Sequence, residues 1–245
     1  MPIGIVLALV DVILVVHAAK TGRFWPWAYV ILLIPGLGAL AYVVAELLPE
    51  WFRGHQGQMA RKRLVSTIDP GRRYRALTDE LAITDTIANR EALAAECLRL
   101  GKFDEAKEHY GEILARPLGD EPTFMLGKAR AEFGLGQSAE TVATLDELRH
   151  RWPEYQSSDG HLLYARALEE IGRTDEAIEE YKALAGYFPG AEARVRYGML
   201  LDRLGRHVEA RLVFSDLLTH MRRAPKYVRK VQAEWIGMAE KSLRG

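Results

Sequence analysis

The sequence predicts an all-α protein, with a helical hairpin at the N-terminus followed by a stack of helix pairs. Two long apolar segments stand at the start of the chain. A Leu-Gly or Ile-Gly pair then recurs every 33 to 36 residues, and almost no alternating strand pattern is present. Long uncharged segments are typical of helices in an apolar environment, and a recurrence of this length is typical of stacked helix pairs.

Composition excludes several classes of protein. The 33 basic and 33 acidic side chains balance, and an apolar share of 49% is too high for a disordered chain. A charged share of 27% excludes a polytopic membrane bundle, and a single cysteine, Cys97, excludes disulfide frameworks and cysteine-based zinc sites. Residues 1–75 carry 9 Lys/Arg against 4 Asp/Glu, residues 76–221 carry 17 against 27, and residues 222–245 carry 7 against 2. An acidic body is therefore flanked by two basic ends.

Residues 1–52 are predicted to form a two-helix transmembrane hairpin. Residues 24–45 contain no charge over 22 positions, which is about the length of helix that crosses a bilayer core. The first segment, residues 1–19, carries Asp11 near its middle. Its eleven Leu, Ile and Val residues, at about 0.3–0.6 kcal/mol each, outweigh the cost of about 2.5–3.5 kcal/mol for that carboxylate. We interpret Asp11 as facing the partner helix, with an intramembrane functional site as the alternative.

The hairpin resembles the phospholipase D-nuclease N-terminal domain, which precedes the catalytic region of bacterial cardiolipin synthases. The likeness rests on Asp11-Val12-Ile13, His17, Thr21-Gly22-Arg23, Trp27 and the run from Pro35 to Tyr42. Those enzymes carry His-x-Lys motifs further along the chain. None of the seven histidines here is followed two residues later by lysine. The resemblance therefore implies an anchor without lipase chemistry.

Residues 53–84 are predicted to be a basic juxtamembrane linker. Each basic residue near an anionic membrane gains about 1 kcal/mol. The predicted lipid-facing patch comprises Arg53, Arg61, Lys62, Arg63, Arg72 and Arg73. A nucleic-acid site is disfavoured because the domain that follows is acidic, and a plain solvated linker is a further alternative. More basic residues follow the hairpin than lie in its turn, which places both termini and the repeats in the cytoplasm, at a bacterial-type inner membrane.

Helix pairs are predicted over residues 85–221. The recurring pairs are Leu100-Gly101, Leu135-Gly136, Ile171-Gly172 and Leu204-Gly205. Five residues after three of these glycines stand Ala106, Ala177 and Ala210, and nine residues after the same three stand Tyr110, Tyr181 and Phe214. Glycine ends a first helix in a left-handed turn, and a small alanine lets the second helix pack closely against the first. No pair buries its apolar face alone, so the pairs must stack.

This pattern resembles the tetratricopeptide repeat, most closely at residues 101–106 and 172–177. The resemblance implies an α-solenoid of about four helix pairs. The second pair departs from the pattern because Thr141 and Leu145 stand at the alanine and aromatic positions, and Gly134 allows a register shifted by two residues.

Residues 222–245 are predicted to be a capping helix and tail. An amphipathic helix over residues 226–243 places on one face Val228, Val231, Trp235 and Met238. A terminal stack must present a polar outer side, so we expect this helix to close the array.

No catalytic motif is present, and no cofactor or metal is expected: the sequence lacks a phosphate-binding glycine loop, a zinc-protease histidine pair and a serine-hydrolase elbow. The tetratricopeptide resemblance implies a groove for a protein partner, lined by Arg99, Leu126, Arg130, Phe133, Leu162, Arg166, Met199 and Arg203, with Glu91, Glu169 and Val195 alongside. Arg130 and Arg166 fall at equivalent positions of successive pairs. Such an arginine pair suits an acidic segment or a C-terminus. The alternative is ordinary surface arginines paired with neighbouring acids.

The sequence therefore predicts a membrane-anchored, non-catalytic scaffold that holds another protein in its repeat groove. The alternative is a regulatory or assembly subunit whose hairpin packs against an integral membrane enzyme or transporter. No nucleic-acid partner is expected.

Overall fold

The chain is described from a computed structural model, which covers residues 2–20, 24–33, 37–43, 45, 69 and 71–244. It divides into two compact units, residues 1–72 and residues 73–245, and each unit is described by itself. Within the described ranges all regular structure is helical, which confirms the predicted fold class.

The N-terminal unit contains three described helices: α1 (Pro2–Lys20), α2 (Phe24–Leu33) and α3 (Leu37–Tyr42). Its small core consists of Ala18, Ile31 and Tyr42, all fully buried. The Tyr42 ring stands edge-on to Trp27, with ring centroids 5.4 Å apart, and its hydroxyl lies 3.0 Å from Nδ1 of His17. Aromatic contacts therefore join all three helices of this unit.

The predicted transmembrane hairpin falls partly outside the described residues. Within the second apolar run, residues 24–45, the described helices are α2 and α3, and residues 34–36 and 44 lie outside the described residues. Of the helices that the structure describes, none combines the length and the apolar character that crossing a membrane requires. Asp11 is buried on α1, and its Oδ1 has no hydrogen-bond partner among the described residues. The transmembrane hairpin therefore stays a prediction.

The second unit is a succession of helix pairs in which neighbouring helices pack on one another. Its helices are α4 (Arg72–Ile83), α5 (Ile87–Leu100), α6 (Phe103–Leu114), α7 (Pro122–Gly134), α8 (Ser138–Arg151), α9 (Ser158–Glu170), α10 (Thr174–Tyr187), α11 (Glu192–Arg203), α12 (His207–Arg223), α13 (Lys226–Val231) and α14 (Ala233–Arg244). From α5 to α12 each helix packs on its sequence neighbour, and α14 packs on α11 and α12. This arrangement confirms the predicted solenoid of helix pairs.

The first helix of each pair ends at a glycine in the left-handed conformation. These glycines are Gly101, Gly136, Gly172 and Gly205, with φ between 73° and 78°. The residue after each glycine donates its backbone N–H to the carbonyl five positions earlier, at 2.9 Å in all four turns. Glycine reaches this conformation without the steric cost that a Cβ brings, so the four turns share one geometry.

The same turn geometry determines the register of the second pair. Gly136, and not Gly134, carries the left-handed turn, so the alternative register does not occur. Gly134 instead ends α7 against the ring of Phe103, where a Cβ would lie 2.4 Å from Cδ1 of that ring.

Small residues let the two helices of each pair approach closely. Five positions after the turn glycines, the buried residues are Ala106, Thr141, Ala177 and Ala210. Seven positions before the glycines they are Ala94, Ala129, Ala165 and Gly198. At Gly198 a Cβ would lie 2.6 Å from the ring of Phe214, so the approach leaves no room for a methyl group there.

The second pair compensates for its unusual residues with buried polar contacts. The Thr141 hydroxyl donates to the carbonyl of Gln137 at 2.9 Å, which satisfies it at an alanine position. Glu132 is only 2% exposed, and its Oε2 accepts a hydrogen bond of 2.7 Å from the Thr144 hydroxyl. Lys128 Nζ lies 3.7 Å from the other carboxylate oxygen. A buried carboxylate is tolerated only with such partners.

The predicted linker, residues 53–84, ends in helix α4, which packs on the first pair. Tyr74, Leu77 and Leu81 of α4 contact the cluster that contains Cys97. The Tyr74 hydroxyl donates to Oε2 of Glu105 at 2.6 Å. An apolar stripe at this spacing lies on one side of a helix, so α4 belongs structurally to the repeat unit.

The C-terminal cap differs from the single helix predicted over residues 226–243, because the chain breaks at Gln232 into α13 and α14. The Gln232 side-chain oxygen accepts a hydrogen bond of 2.9 Å from the backbone N–H of Ala191. The residues packed on the last pair are Trp235, Ile236, Ala239 and Leu243. Val231 is 75% exposed and Met238 36% exposed, so the predicted packed face is wrong at these two positions.

The turn geometry generates a stability prediction. Gly136→Ala should lower the free energy of unfolding by about 1 kcal/mol, because alanine is strained in the left-handed conformation. Gly111→Ala is the matched control. Gly111 lies inside α6 with open space around it, so the same added methyl should raise stability by about 0.5–1 kcal/mol. Urea unfolding followed by circular dichroism measures both, and effects of the same sign would contradict the assignment.

Candidate functional site

The first helices of the pairs place a row of equivalent residues on one face of the repeat unit. Six positions before the turn glycines stand Ala95, Arg130, Arg166 and Met199. Ala95, Arg130 and Met199 are exposed, and Arg166 is half-buried. We call this set the groove row. Three of the predicted groove residues, Arg130, Arg166 and Met199, belong to it.

Two predicted groove residues lie deeper than the surface. Leu126 and Leu162, each four positions before an arginine of the groove row, are 4% and 6% exposed and belong to the central core. Val195, at the equivalent position of the fourth pair, is fully buried beneath the cap. These residues hold the first helices in place beneath the groove row. Glu91 is exposed on α5.

Arg166 and Phe133 form the most distinctive contact of this face. The guanidinium of Arg166 lies 4.6 Å from the centre of the Phe133 ring, which comes from the preceding first helix. A guanidinium over an aromatic face gains cation–π attraction while its N–H edge stays available for hydrogen bonds. Among residues 71–244, no carboxylate lies within ion-pair distance of Arg166.

The other predicted arginines of the groove have acidic neighbours. Arg99 Nη2 lies 2.5 Å from Oε1 of Glu96, and Arg203 pairs with Glu169. Arg130 Nη2 lies 3.8 Å from Oδ2 of Asp159, and both side chains of that pair are largely exposed. Exposed pairs at such distances contribute little, so Arg130 remains available to another anion.

Sequence reasoning placed Trp235 on the capping helix but did not predict its contact with Arg196 beside this face. The Arg196 guanidinium lies 5.2 Å from the centre of the Trp235 ring on the cap helix, and its Nε lies 2.8 Å from Oε1 of Glu192. Only the packing of α14 on α11 brings these residues together. The tryptophan in an amphipathic tail was the one available signal.

The pKa of Arg166 is consistent with a guanidinium that is partly buried and lacks an ion-pair partner among the described residues. Burial lowers the pKa of Arg166 from its usual value and the nearby positive charge of Arg196 lowers it further, while Glu192 and Glu170 offset only part of this shift. A cation that is partly desolvated and close to another cation has lost favourable hydration. An anion that reached Arg166 would restore that loss.

The predicted lipid-facing basic patch is described only at its end. Arg53, Arg61, Lys62 and Arg63 lie outside the described residues. Arg72 and Arg73 are exposed at the start of α4, and Nε of Arg73 lies 3.7 Å from Oε2 of the buried Glu96.

The described side chains that could bind a metal ion or act as a nucleophile are either far from one another or buried. Within the part of the chain that the structure describes, no group of three or more His, Cys, Asp or Glu side chains could hold a metal ion. Cys97 is fully buried, and burial together with the nearby Glu105 raises the pKa of its thiol to about 11.

The helix pairs, their left-handed glycine turns and the face of equivalent first-helix residues define a helix-pair solenoid with an interaction surface. The tetratricopeptide repeat model matches residues 92–156 and 162–228, which is more than half of the chain. The chain belongs to the tetratricopeptide repeat family. Proteins of this family generally serve as scaffolds for protein–protein interactions. No curated protein matches the sequence.

Solved structures show the same fold. TTC0263, a thermophilic tetratricopeptide repeat protein of Thermus thermophilus, is 20% identical, with 75% of this chain and 97% of that chain covered and a TM-score of 0.53. The MamA RS-1 ArsTM double mutant is 15% identical, with 69% and 96% covered and a TM-score of 0.56. A tetratricopeptide repeat protein from Parabacteroides merdae ATCC 43184 is 17% identical, with 96% and 92% covered and a TM-score of 0.51. At these identities the likeness concerns the fold alone.

The position of Cys97 generates a reactivity prediction. The native full-length protein should not react with iodoacetamide near pH 8, because the thiol is buried and only about a thousandth of it is ionised at that pH. Mass spectrometry after alkylation, with and without denaturant, measures this. The matched control is Ala95→Cys combined with Cys97→Ala, which moves the thiol two residues to an exposed position and should react at once. Rapid alkylation of the native protein would contradict the inward placement.

Proposed function

We propose that this protein is a non-catalytic scaffold that holds an acidic segment of a partner protein along the groove row. The observation that carries the proposal is Arg166. Its guanidinium is held in place on the ring of Phe133 and has no acidic partner among the described residues of its unit. A positioned, partly desolvated guanidinium is a strong binding group for a carboxylate, since it offers two parallel N–H donors.

The neighbours of Arg166 favour an extended acidic segment over a single anion. Arg130 occupies the equivalent position one pair earlier, and its exposed pair with Asp159 is weak enough to be displaced. Met199, 43% exposed, occupies the equivalent position one pair later. A bound segment would therefore meet two cations and then an apolar side chain, which suits two acidic residues followed by an apolar one.

We further propose that the N-terminal unit attaches this scaffold to a bacterial-type inner membrane, as a two-pass hairpin with the repeats in the cytoplasm. The support comes from the uncharged run of residues 24–45 and from apolar side chains that face outward on its helices. Leu33 is 80% exposed and Val12 61% exposed within that unit. Exposed apolar area favours transfer to lipid at about 25 cal/mol per Å². Attachment would concentrate the groove's partner near the bilayer.

The second candidate function is a regulatory or assembly subunit whose hairpin packs against an integral membrane enzyme or transporter. The buried Asp11, with an oxygen that has no partner among the described residues, favours this alternative. Replacing residues 1–52 with an unrelated anchor distinguishes the two functions. A scaffold should keep its partner and its cellular role, whereas a subunit that binds through its hairpin should lose both.

The groove proposal predicts charge-selective peptide binding. A fluorescein-labelled hexaglutamate peptide should bind the full-length protein, and hexalysine should not. Arg166→Gln should weaken hexaglutamate binding about tenfold, because it removes one charge-assisted contact. Arg211→Gln is the matched control, since Arg211 is an exposed arginine on a second helix, outside the groove row. Fluorescence anisotropy measures each affinity. Equal losses in the two variants, or no loss in Arg166→Gln, would contradict the proposed role of Arg166.

The membrane proposal predicts where the protein partitions. After cell lysis and ultracentrifugation, the full-length chain should sediment with membranes. The double variant Leu33→Arg/Leu40→Arg should shift to the supernatant, because each arginine in an uncharged span costs about 2.5–3.5 kcal/mol. Val231→Arg, at an exposed position of α13, is the matched control and should still sediment. If the wild-type chain is found wholly in the supernatant, the proposed membrane attachment is wrong. The proposed binding of an acidic segment at the groove row does not depend on this result.

A further inference from the structure

A cavity of about 380 Å³ is lined by residues of α7, α8, α9 and α10 and of the loop of residues 152–157. Its apolar side is formed by the buried side chains of Leu126, Leu145 and Leu148. Cavities that bind small molecules start at about 300 Å³ and are lined by apolar and aromatic side chains with a few polar groups. This cavity therefore has the size and the lining of a small-molecule site.

Three tyrosines give the cavity an aromatic lining. Tyr164 is buried, Tyr155 is half-buried, and Tyr187 is 55% exposed at the end of α10. Aromatic rings prefer other rings in offset or edge-on arrangements, with a gain of about 0.5–1.5 kcal/mol per pair beyond simple burial. The lining therefore favours a flat aromatic group over a flexible aliphatic chain.

A hydrogen-bond network fixes the polar side of the cavity. Glu180 lies behind His161 and Arg149, and one of its oxygens lies 3.1 Å from Nη1 of Arg149 while the other accepts from Nε2 of His161. Because an ionised carboxylate only accepts hydrogen bonds, Nε2 of His161 carries a proton, and Nδ1 lies within hydrogen-bond distance of the Tyr187 hydroxyl. The network therefore holds Tyr187 and Arg149 in fixed positions beside the cavity.

Two of the polar groups that line the cavity, Arg149 and the Ser157 hydroxyl, can donate hydrogen bonds to a ligand. Of the twelve lining residues, all within the described part of the chain, none is acidic, and Arg149 is the only one with a permanent charge. One face of the Arg149 guanidinium lies 4.8 Å from the centre of the Tyr164 ring, and Glu180 takes only part of its N–H groups. The Ser157 oxygen accepts a hydrogen bond from the backbone of Gly160, so its own proton is free to be donated. A ligand with an acceptor group, above all a carboxylate, complements this side.

The cavity lies on a different side of α9 from Arg166, and two of its lining residues, Ser158 and Gly160, flank Asp159, the ion-pair partner of Arg130. Tyr164 and Arg166 are two residues apart on α9, and residues two apart on a helix point to nearly opposite sides, about 160° from each other. A molecule in the cavity would therefore not occupy the place of a segment bound at Arg166.

We propose that this cavity binds a small aromatic carboxylic acid. The ring packs among Tyr155, Tyr164 and Tyr187 against the three leucines, and the carboxylate accepts hydrogen bonds from Arg149 and the Ser157 hydroxyl. The site is a second binding function of the repeat unit, independent of the partner proposed for the groove row.

Indole-3-acetate and its neutral amide, indole-3-acetamide, test the proposal on the full-length protein by isothermal titration calorimetry. The two probes share the ring and nearly the same shape, so the comparison isolates the carboxylate. The acid should bind with a stoichiometry of one and at least tenfold more tightly than the amide. Arg149→Gln should weaken acid binding about tenfold and bring the two probes to similar affinity. The exposed Arg211→Gln is the matched control and should change neither.

Filling the cavity tests the location of the site. Ser158→Phe, at a lining position, should abolish binding of the acid while circular dichroism shows an unchanged helical content. If that variant does not fold, Gln156→Trp in the exposed loop fills the same space. Equal affinity for acid and amide in the wild type, binding that survives a folded filled variant, or no acid binding at millimolar concentration would overturn the proposal.

Discussion

The close approach of the two helices in each pair is the constraint on which the rest of the repeat unit depends. Buried small residues stand on both helices at the crossing, such as Ala94 and Ala106 in the first pair and Gly198 and Ala210 in the fourth. At this short distance the ridges of one helix fit the grooves of the other in only a few ways. Every pair therefore repeats nearly the same geometry, and equivalent residues of successive first helices come to lie on one face.

Much of this fold could be predicted from the sequence because its signals are local and repeated. A glycine that ends a helix in the left-handed conformation leaves the same mark wherever it occurs, as at Gly101 and Gly172. The second pair was harder to predict. Thr141 keeps the small volume of the alanine it replaces, and its hydroxyl returns to the backbone of its own helix. The contact of Glu132 with Thr144 joins two helices, so neither residue alone indicates it.

The elements at either end of the array were predicted less well, because tertiary packing decides them. Helix α4 packs on the first pair through Tyr74, Leu77 and Leu81, and the Tyr74 hydroxyl also bonds Glu105 of that pair. At the break, the Gln232 side chain accepts a hydrogen bond from Ala191, which lies 41 residues earlier in the chain, so no local pattern indicates this contact. For the groove, repeat spacing predicted the placement of Arg130 and Arg166 on one face. It did not predict the stacking of Arg166 on Phe133, because spacing alone does not determine how side chains of adjacent helices are oriented.

The cap also bears on how such a protein changes in length. The cap packs on α11 and α12, at the surface that one helix pair offers to the next. It contacts this surface through the apolar face of α14. A duplicated pair inserted just before residue 224 would therefore find a compatible neighbour on each side. The array can therefore grow by duplication of a helix pair while the same capping helix still closes it. The polar outer side of that helix would keep the end of the longer array soluble.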